Sequence, residues 1–164
     1  MSIALLIIDM QKEFSEMEQC KIMISSALEY INEVGHLFRK AGNPIIIIQD
    51  EEVGDGPGSE GYELMDDLEI MDSDIYLSKI YSNSFWKTDL EKILKNLDVE
   101  FVVVSGFAAE HCVLFTYNGA LERGFGASIL QHGIAGFDKR RVKDTQNIRD
   151  VISYQALEYM LTNN

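Results

Sequence analysis

The stretch Ile3-Ala4-Leu5-Leu6-Ile7-Ile8-Asp9 decides the fold of this chain. Apolar residues follow one another without interruption, and the run ends abruptly at an acid. Alternating polarity would indicate a strand with one wet face, whereas a continuous apolar run is typical of a strand buried on both faces. We therefore expect residues 3–8 to form a central strand of a parallel sheet, with Asp9 at its carboxyl end.

Further apolar runs and helical patterns alternate along the rest of the chain. They predict strands over 45–48, 75–77, 101–104 and 127–130, and helices over 21–41, 84–97, 112–123 and 144–161. This alternation is typical of an α/β domain with a parallel sheet and helices on both faces. Because no composition shift or internal repeat divides the chain, we expect residues 1–164 to form a single domain.

The composition argues against several classes of protein. There are 14 basic and 27 acidic residues, and the net charge of −13 disfavours nucleic acid and membrane partners, which need a positive surface. The apolar runs are far shorter than the roughly 20 residues of a membrane span, and the N-terminus lacks the features of a signal peptide. Two cysteines are too few for a disulfide scaffold, so we expect free thiols and a cytoplasmic protein.

Four reactive side chains follow predicted strands. Asp9 ends the first strand, Asp50 ends the second, Lys79 follows the third and Cys112 lies a short loop beyond the fourth. In open α/β sheets, ligands bind outside the carboxyl ends of the strands. We therefore expect these residues to share one edge of the sheet.

Cys112 stands at the predicted start of a helix. The partial positive charge and unpaired N–H groups there would lower the pKa of the thiol and could bind an oxyanion. Asp9 could accept the thiol proton, and Lys79 could hold that carboxylate in place. Taken alone, each residue also has an ordinary interpretation: a small buried cysteine, a capping carboxylate and a solvated lysine.

The other polar residues predict neither a metal site nor a cofactor. His36, His111 and His132 are scattered, without the spacing of metal ligands, and no Gly-rich phosphate motif follows the first strand. The acidic stretch 50–55 is more typical of a solvated loop than of a cation site. The Gly-rich segment 53–61 is a candidate lid, because long loops in small domains are often functional.

Three blocks of sequence coincide with the predicted strand ends. They are Asp9-Met10-Gln11-Lys12-Glu13-Phe14, Lys79-Ile80-Tyr81-Ser82-Asn83-Ser84-Phe85 and Ser105-Gly106-Phe107-Ala108-Ala109-Glu110-His111-Cys112-Val113. In this order they resemble the D-x-Q-x-x-F opening, the lysine segment and the G-x-x-x-x-x-C-V loop of the isochorismatase-like cysteine hydrolases. That family includes nicotinamidases, N-carbamoylsarcosine amidase and ureide hydrolases, and the resemblance covers nearly the whole chain.

The resemblance implies a fold and a mechanism. The fold would be a Rossmann-like three-layer sandwich whose parallel sheet has five or six strands in the order 3-2-1-4-5. Asp9 would be the base, Lys79 the third member of a triad and Cys112 the nucleophile that forms an acyl thioester. The backbone N–H groups of Ala108 and Cys112 would form the oxyanion hole, beside a cis peptide at Phe107-Ala108. Candidate pocket residues are Gln11, Phe14, Phe85, Trp86, His111 and Tyr117.

The chain also departs from this family. Glu51 and Glu52 follow Asp50, where metal-dependent nicotinamidases carry histidines, and Ala109 stands where a threonine is common. No sixth strand is predicted before Asn164. We therefore expect the open sheet edge to be covered by a partner subunit in a homo-oligomer, a dimer or larger.

Together these observations predict a metal-independent hydrolase that cleaves a C–N bond of a small amide or ureide. Two alternatives remain: an isochorismate-type vinyl ether hydrolase, which would not need the cysteine, and a regulatory or degenerate binding module of doubly wound fold. The substrate itself is not indicated, because neither 53–61 nor 107–111 contains a cation that would select an anionic substrate.

Overall fold

A parallel six-stranded sheet runs through the computed structural model, which describes residues 2–162. The strands are β1 (Ser2–Ile8), β2 (Ile45–Asp50), β3 (Ile75–Lys79), β4 (Val99–Gly106), β5 (Gly126–Ile134) and β6 (Val151–Ile152). The helices are α1 (Lys12–Ser15), α2 (Lys21–Lys40), α3 (Leu90–Asn96), α4 (Leu114–Glu122), α5 (Lys139–Asn147) and α6 (Tyr154–Thr162), and a π-helical turn spans Ala109–Val113. The strand order is β3-β2-β1-β4-β5-β6, with helices on both sides, which confirms the predicted fold class.

β1 lies at the centre of the sheet, as its continuous apolar run predicts. It pairs in parallel with β2 on one side and with β4 on the other. Its odd-numbered residues, such as Leu5, pack in the core layer beneath α2, and its even-numbered ones, such as Leu6, pack in the layer beneath α3 and α4. Both faces are therefore buried, and the carboxyl end of β1 opens at the sheet edge.

The predicted single helix over 144–161 is wrong. The chain instead forms α5, then β6, which pairs with Ile129 and Leu130 of β5, and then α6. The carbonyl of Asp150 accepts the N–H of Ile129 at 2.8 Å, and the Ser153 hydroxyl accepts the N–H of Ala156 at the start of α6. These local hydrogen bonds interrupt the helix. A sixth strand therefore exists, and the open edge that suggested a covering subunit is occupied by the chain itself.

Two other predicted helices begin later than expected. The 84–97 helix starts only at Leu90, because the Thr88 hydroxyl bonds to the Ser84 carbonyl and accepts the N–H of Leu90. The 112–123 helix is a π-helical turn followed by α4, so Cys112 lies inside that turn and not at its first residue. A short helix, α1, follows β1 and was not predicted.

The close approach of β1 and β4 fixes the start of the cysteine loop. Gly106 has a φ of +108°, and a Cβ at this position would lie 2.1 Å from the carbonyl oxygen of Ile8. Only glycine fits there. The peptide bond that follows, Phe107-Ala108, is cis, as the family resemblance implied.

Within residues 2–162, none of the helices combines the length and the hydrophobicity that a membrane crossing needs.

Candidate active site

The side chains of Asp9, Lys79 and Cys112 meet beyond the carboxyl ends of β1, β3 and β4. The Lys79 Nζ atom lies 2.9 Å from Asp9 Oδ2 and 3.4 Å from Cys112 Sγ. The side chains of Lys79 and Asp9 are 0% and 3% exposed, and Cys112 is half-buried. Residues 33 to 103 positions apart in sequence thus form one cluster with a single accessible thiol.

A second carboxylate completes this cluster. Asp50 Oδ2 lies 2.7 Å from Lys79 Nζ, closer than either other partner. A lysine ammonium has three donors, and here Asp9, Asp50 and Cys112 take them all. The sequence placed Asp50 at this edge, but its type and neighbours gave it no role beyond a solvated loop.

Burial controls the protonation of the acid and the thiol. It raises the pKa of Asp9 to about 6, although the charge of Lys79 works in the other direction. Burial, followed by the negative charge of Asp9, raises the pKa of the Cys112 thiol to about 12. Burial tends to lower the pKa of Lys79, but the charges of Asp9 and Cys112 and hydrogen bonds to both carboxylates raise it overall.

The expectation of a lowered thiol pKa at a helix start is therefore wrong, because burial and the neighbouring Asp9 carboxylate raise that pKa. At neutral pH the thiol is protonated and Asp9 is ionised. Within residues 2–162, Asp9 Oδ1 is buried and accepts no hydrogen bond from nitrogen or oxygen. Its lone pairs are free for the thiol proton, so Asp9 is placed to act as a base.

The backbone around the cysteine offers two candidate donors for an oxyanion. The carbonyl of Ala108 accepts the N–H groups of His111 and Val113, and the N–H of Ala109 donates to the carbonyl of Ala135. Among the described residues 2–162, the N–H of Ala108 donates to no other group, and the N–H of Cys112 makes no hydrogen bond outside the π-helical turn. Backbone N–H groups beside a nucleophile are the donors that an oxyanion requires.

Gln11 is an internal anchor and not an open pocket wall. It is 0% exposed, and its amide oxygen accepts the N–H of Asp50 at 2.8 Å. Its amide nitrogen donates to the carbonyls of Asp50 and Tyr62, at 3.1 and 2.9 Å. The prediction that Gln11 lines the substrate pocket is therefore wrong, because these buried backbone groups occupy its side chain.

The candidate lid is attached to α1 at its end. The carbonyl of Gly61 accepts the N–H of Glu13, and the carbonyl of Glu63 accepts the N–H of Lys12. Val53, at the other end of the segment, is buried. A lid role for 53–61 stays a prediction, and any movement would have to occur between these fixed points.

An aromatic cluster flanks the cis peptide. The rings of Phe14 and Phe107 lie 4.3 Å apart, and those of Phe107 and Phe137 lie 4.8 Å apart. The exposed ring of His111 lies 6.2 Å from Phe137. Phe14 and His111 were predicted from the sequence as pocket residues, and Phe107 lies in the segment 107–111 that was expected to set specificity. Phe137 was not predicted, since an isolated Phe carries no signal of its own.

Two predicted pocket residues lie in the core layer beneath α3 and α4. Phe85 stacks on Phe125 with ring centroids 5.8 Å apart, and Tyr117 is 1% exposed with its hydroxyl bonded to Asp150. Tyr117 lies more than a helical turn beyond the cysteine and faces the sheet. Neither placement supports a pocket role, whereas Trp86 is 52% exposed and available at the surface.

Glu110 is a buried acid that the sequence did not single out. Its Oε1 atom accepts the N–H of Phe137 at 3.2 Å, and Arg141 lies 3.7 Å away. Within the described residues 2–162, its buried Oε2 atom has no hydrogen-bond partner. It thereby ties the cysteine turn to the segment before α5. Its partner is 27 positions away, so sequence proximity could not reveal it.

The residue types at the site invite a test for a metal ion. Ligand atoms of Asp9, Asp50 and Cys112 all lie within 4.8 Å of one another. The Lys79 ammonium, however, lies within hydrogen-bond distance of all three. A fixed positive charge in that position repels a cation, so this donor set does not fit a metal. The expected absence of a metal and of a cofactor stays a prediction.

Fold and site together define an α/β protein with a buried cysteine cluster at the carboxyl edge of its sheet. The Isochorismatase domain model matches residues 3–154, and the chain belongs to that family of hydrolases. A relative, the uncharacterized isochorismatase family protein YrdC of Bacillus subtilis (strain 168), is 30% identical over 148 residues, which are 87% of this chain and 78% of that protein.

Solved structures share the fold at lower identity. N-carbamoylsarcosine amidase from Thermoplasma acidophilum superposes with a TM-score of 0.80 and 22% identity, over 93% of this chain and 95% of that one. Nicotinamidase PncA from Bacillus subtilis superposes with a TM-score of 0.78 and 22% identity, over 90% of this chain and 93% of that one. At these identities the likeness shows the fold.

Proposed function

We propose that this protein is a metal-independent cysteine hydrolase, which cleaves the C–N bond of a small amide or ureide through an acyl thioester on Cys112. One observation carries the proposal. A thiol, an ionised carboxylate with a free oxygen and the backbone N–H groups of Ala108 and Cys112 lie at the carboxyl edge of the sheet. This set fits nucleophilic attack on a carbonyl.

In the first half-reaction Asp9 takes the thiol proton, and the sulfur of Cys112 forms a bond to the carbonyl carbon. The N–H groups of Ala108 and Cys112 hold the oxyanion that develops. The C–N bond then breaks, and the proton on Asp9 passes to the nitrogen of the leaving ammonia or amine. The acyl group remains on Cys112 as a thioester.

In the second half-reaction a water molecule gives its proton to Asp9 and attacks the thioester carbon. The carbon–sulfur bond breaks, the acid leaves, and the proton returns from Asp9 to the thiolate of Cys112. Throughout, the Lys79 ammonium stays charged and holds the Asp9 carboxylate toward the thiol. The same carboxylate thus serves as base and acid in turn.

Support for C–N chemistry also comes from the family. Two of the solved structures with this fold are named as amidases, N-carbamoylsarcosine amidase and nicotinamidase. The aromatic cluster of Phe14, Phe107 and Phe137 would provide an apolar wall for the acyl part of the substrate.

A cytoplasmic location and a homo-oligomeric state are further parts of this proposal. Size-exclusion chromatography with light scattering tests the oligomeric state.

The test is an ammonia-release screen over small amides and ureides, run on the native protein and on Cys112→Ala. We expect kcat for any substrate found to fall by at least about 10³-fold in Cys112→Ala, because the covalent path is lost. Cys20→Ala is the matched control: Cys20 is the other cysteine, is fully buried and lies outside the cluster. Its activity should stay near that of the native protein.

Full activity in Cys112→Ala would end the cysteine mechanism. If that activity consumed a vinyl ether and resisted thiol alkylation, the isochorismate-type alternative would replace the proposal.

A further inference from the structure

We propose that Asp50 is a positioning residue of this site, which fixes the Lys79 ammonium between Asp9 and Cys112 and sustains the basicity of Asp9 through its negative charge. This inference rests on the proposed function, because it assigns a role in the same proton transfer. It goes beyond the Asp9, Lys79 and Cys112 triad by adding a second carboxylate, which acts by holding the lysine and through its own negative charge.

The contact of Asp50 with Lys79 is built into the sheet. The two residues are register partners on the adjacent parallel strands β2 and β3. The N–H of Glu51 donates to the Lys79 carbonyl at 2.8 Å, and the side chains join at 2.7 Å. Backbone and side-chain contacts thus hold the same pair.

The Asp50 carboxylate is itself held in place. Its Oδ1 atom accepts the N–H of Glu52 at 2.9 Å, which leaves Oδ2 for the lysine. The Gln11 amide bonds to both the N–H and the carbonyl of Asp50. The Asp50 side chain is only 15% exposed. A carboxylate with this many supports is not a solvated loop acid.

The charges in the cluster explain what Asp50 does. Three groups face Asp9: Lys79 from β3, Asp50 from β2 and Cys112 from the π-helical turn. Two carboxylates share one ammonium, so Lys79 neutralises Asp9 less completely than it would alone. Burial is the main cause of the raised pKa of Asp9, and the charge of Asp50 adds to it. Asp9 therefore binds the thiol proton more strongly with Asp50 present.

The variant that separates charge from shape is Asp50→Asn. The amide oxygen still accepts a hydrogen bond from Lys79, but the negative charge is lost. We expect the acid limb of the kcat/KM profile to move to lower pH by about one unit, because Asp9 loses a neighbouring charge of the same sign. Glu51→Gln is the matched control, since it removes an adjacent exposed charge that does not contact Lys79. The acid limb of the Glu51→Gln profile should not move.

A second measurement needs no substrate. Iodoacetamide alkylation of Cys112 at pH 8, followed by mass spectrometry of its peptide, reports the thiolate fraction. A fall of one unit in the thiol pKa raises the thiolate fraction tenfold. A thiolate of lower pKa is also a weaker nucleophile, so the alkylation rate rises only about three- to fourfold. We expect that rise in Asp50→Asn and none in Glu51→Gln.

A double-mutant cycle excludes a merely loosened pocket. Because Asp50 acts partly by holding Lys79, its substitution should change the alkylation rate by a smaller factor in a Lys79→Met background than in the native one, and the difference measures the part that depends on the lysine. A rate increase of equal size in both backgrounds, or an Asp50→Asn protein with native alkylation and an unmoved acid limb, would overturn the role of Asp50. Because the alkylation result needs no turnover, it stands apart from the Cys112→Ala result that decides the proposed function.

Discussion

The two ends of strand β3 carry buried acid–base pairs that are built on opposite principles. At its start, Asp74 makes two hydrogen bonds with Arg39, at 3.1 and 2.7 Å, and also accepts the N–H of Met71. At its end, Lys79 pairs with Asp9, whose second oxygen receives no donor from nitrogen or oxygen within residues 2–162. Each carboxylate is at least nine-tenths buried.

The difference separates a structural pair from a chemical one. In the Arg39–Asp74 pair the planar guanidinium bonds to both carboxylate oxygens through Nε and Nη2, so the carboxylate is satisfied, and the buried atom without a hydrogen-bond partner is Nη1 of the arginine. In the Lys79–Asp9 pair a single ammonium is divided among three partners, and one carboxylate oxygen has no donor from nitrogen or oxygen. An unpartnered carboxylate oxygen, which can accept a proton, therefore distinguishes the Asp9 end of β3 from the Asp74 end.

Asp9→Asn should have the largest effect on activity. We expect kcat/KM to fall by about 10³- to 10⁴-fold, the usual contribution of a general base. The matched control is Asp98→Asn, because Asp98 is exposed and has nearly the same left-handed backbone, with φ of +53° against +50°. Equal activity in the two variants would remove Asp9 from the mechanism.

Asp9→Asn should not lower the stability of the protein, although it lowers activity. The folded-state pKa of Asp9, about 6, lies above its ordinary value of 3.8, so its proton stabilises the fold. That contribution is fully present below pH 4 and is lost as the pH rises through 6. At pH 7 the ionised carboxylate is less favourable in the folded state than in the unfolded state, so the melting temperature of Asp9→Asn should not fall below the native value.

Arg39→Met should lower stability and leave activity unchanged. It leaves Asp74 buried without its cation, and we expect the free energy of unfolding to fall by about 3 kcal/mol. Specific activity of the folded fraction should stay native, because this pair lies at the opposite end of β3. Urea denaturation measures the loss, with the exposed neighbour variant Lys40→Met as control. A stable Arg39→Met protein would mean that the Arg39–Asp74 pair is dispensable to the fold.

The pH dependence of kcat/KM tests the role of Asp9 as a base without any substitution. A base with a pKa of about 6 is protonated below that pH and cannot take the thiol proton. We expect kcat/KM of the native protein to fall tenfold per unit below about pH 6. A profile that is flat from pH 7 to pH 5 would show that the open oxygen of Asp9 does not act as a base.

Glu110 combines features of the Arg39–Asp74 and Lys79–Asp9 pairs, and its substitution should have the smallest effect. One oxygen accepts the N–H of Phe137, as in a structural acid, and the other is unpartnered, as in Asp9. Glu110→Ala removes the acceptor and should cost about 1 kcal/mol of stability, with a severalfold rise in KM. Glu110→Gln keeps an acceptor oxygen and should restore KM. If both variants raise KM equally, then charge matters rather than anchoring.

Much of this molecule could be predicted from the sequence because its strands are buried on both faces. Uninterrupted apolar runs marked the four central strands, and the carboxyl ends of two of these and of the edge strand β3 located Asp9, Cys112 and Lys79. Strand order and the cis peptide came from the family resemblance. These features follow from local patterns or from motifs of consecutive residues.

The parts that escaped prediction depend on contacts distant in sequence. β6 is a two-residue strand, too short for any periodicity, and it exists because it pairs with Ile129 and Leu130. Asp50 and Glu110 are ordinary acids in polar segments until Lys79 and Phe137 are placed beside them. The thiol pKa was predicted in the wrong direction because the burial of Cys112 cannot be inferred from its position in the chain.

The three-way sharing of the Lys79 ammonium also determines how this site responds to chemical probes. An amine with every proton donated and no exposed surface is a poor nucleophile toward acylating reagents. Labelling of lysines would therefore map the outside of the protein and pass over Lys79, the lysine of the proposed triad. The half-buried sulfur beside it is the only group of the cluster that a small soft electrophile can reach, so the site is visible to thiol-directed probes alone.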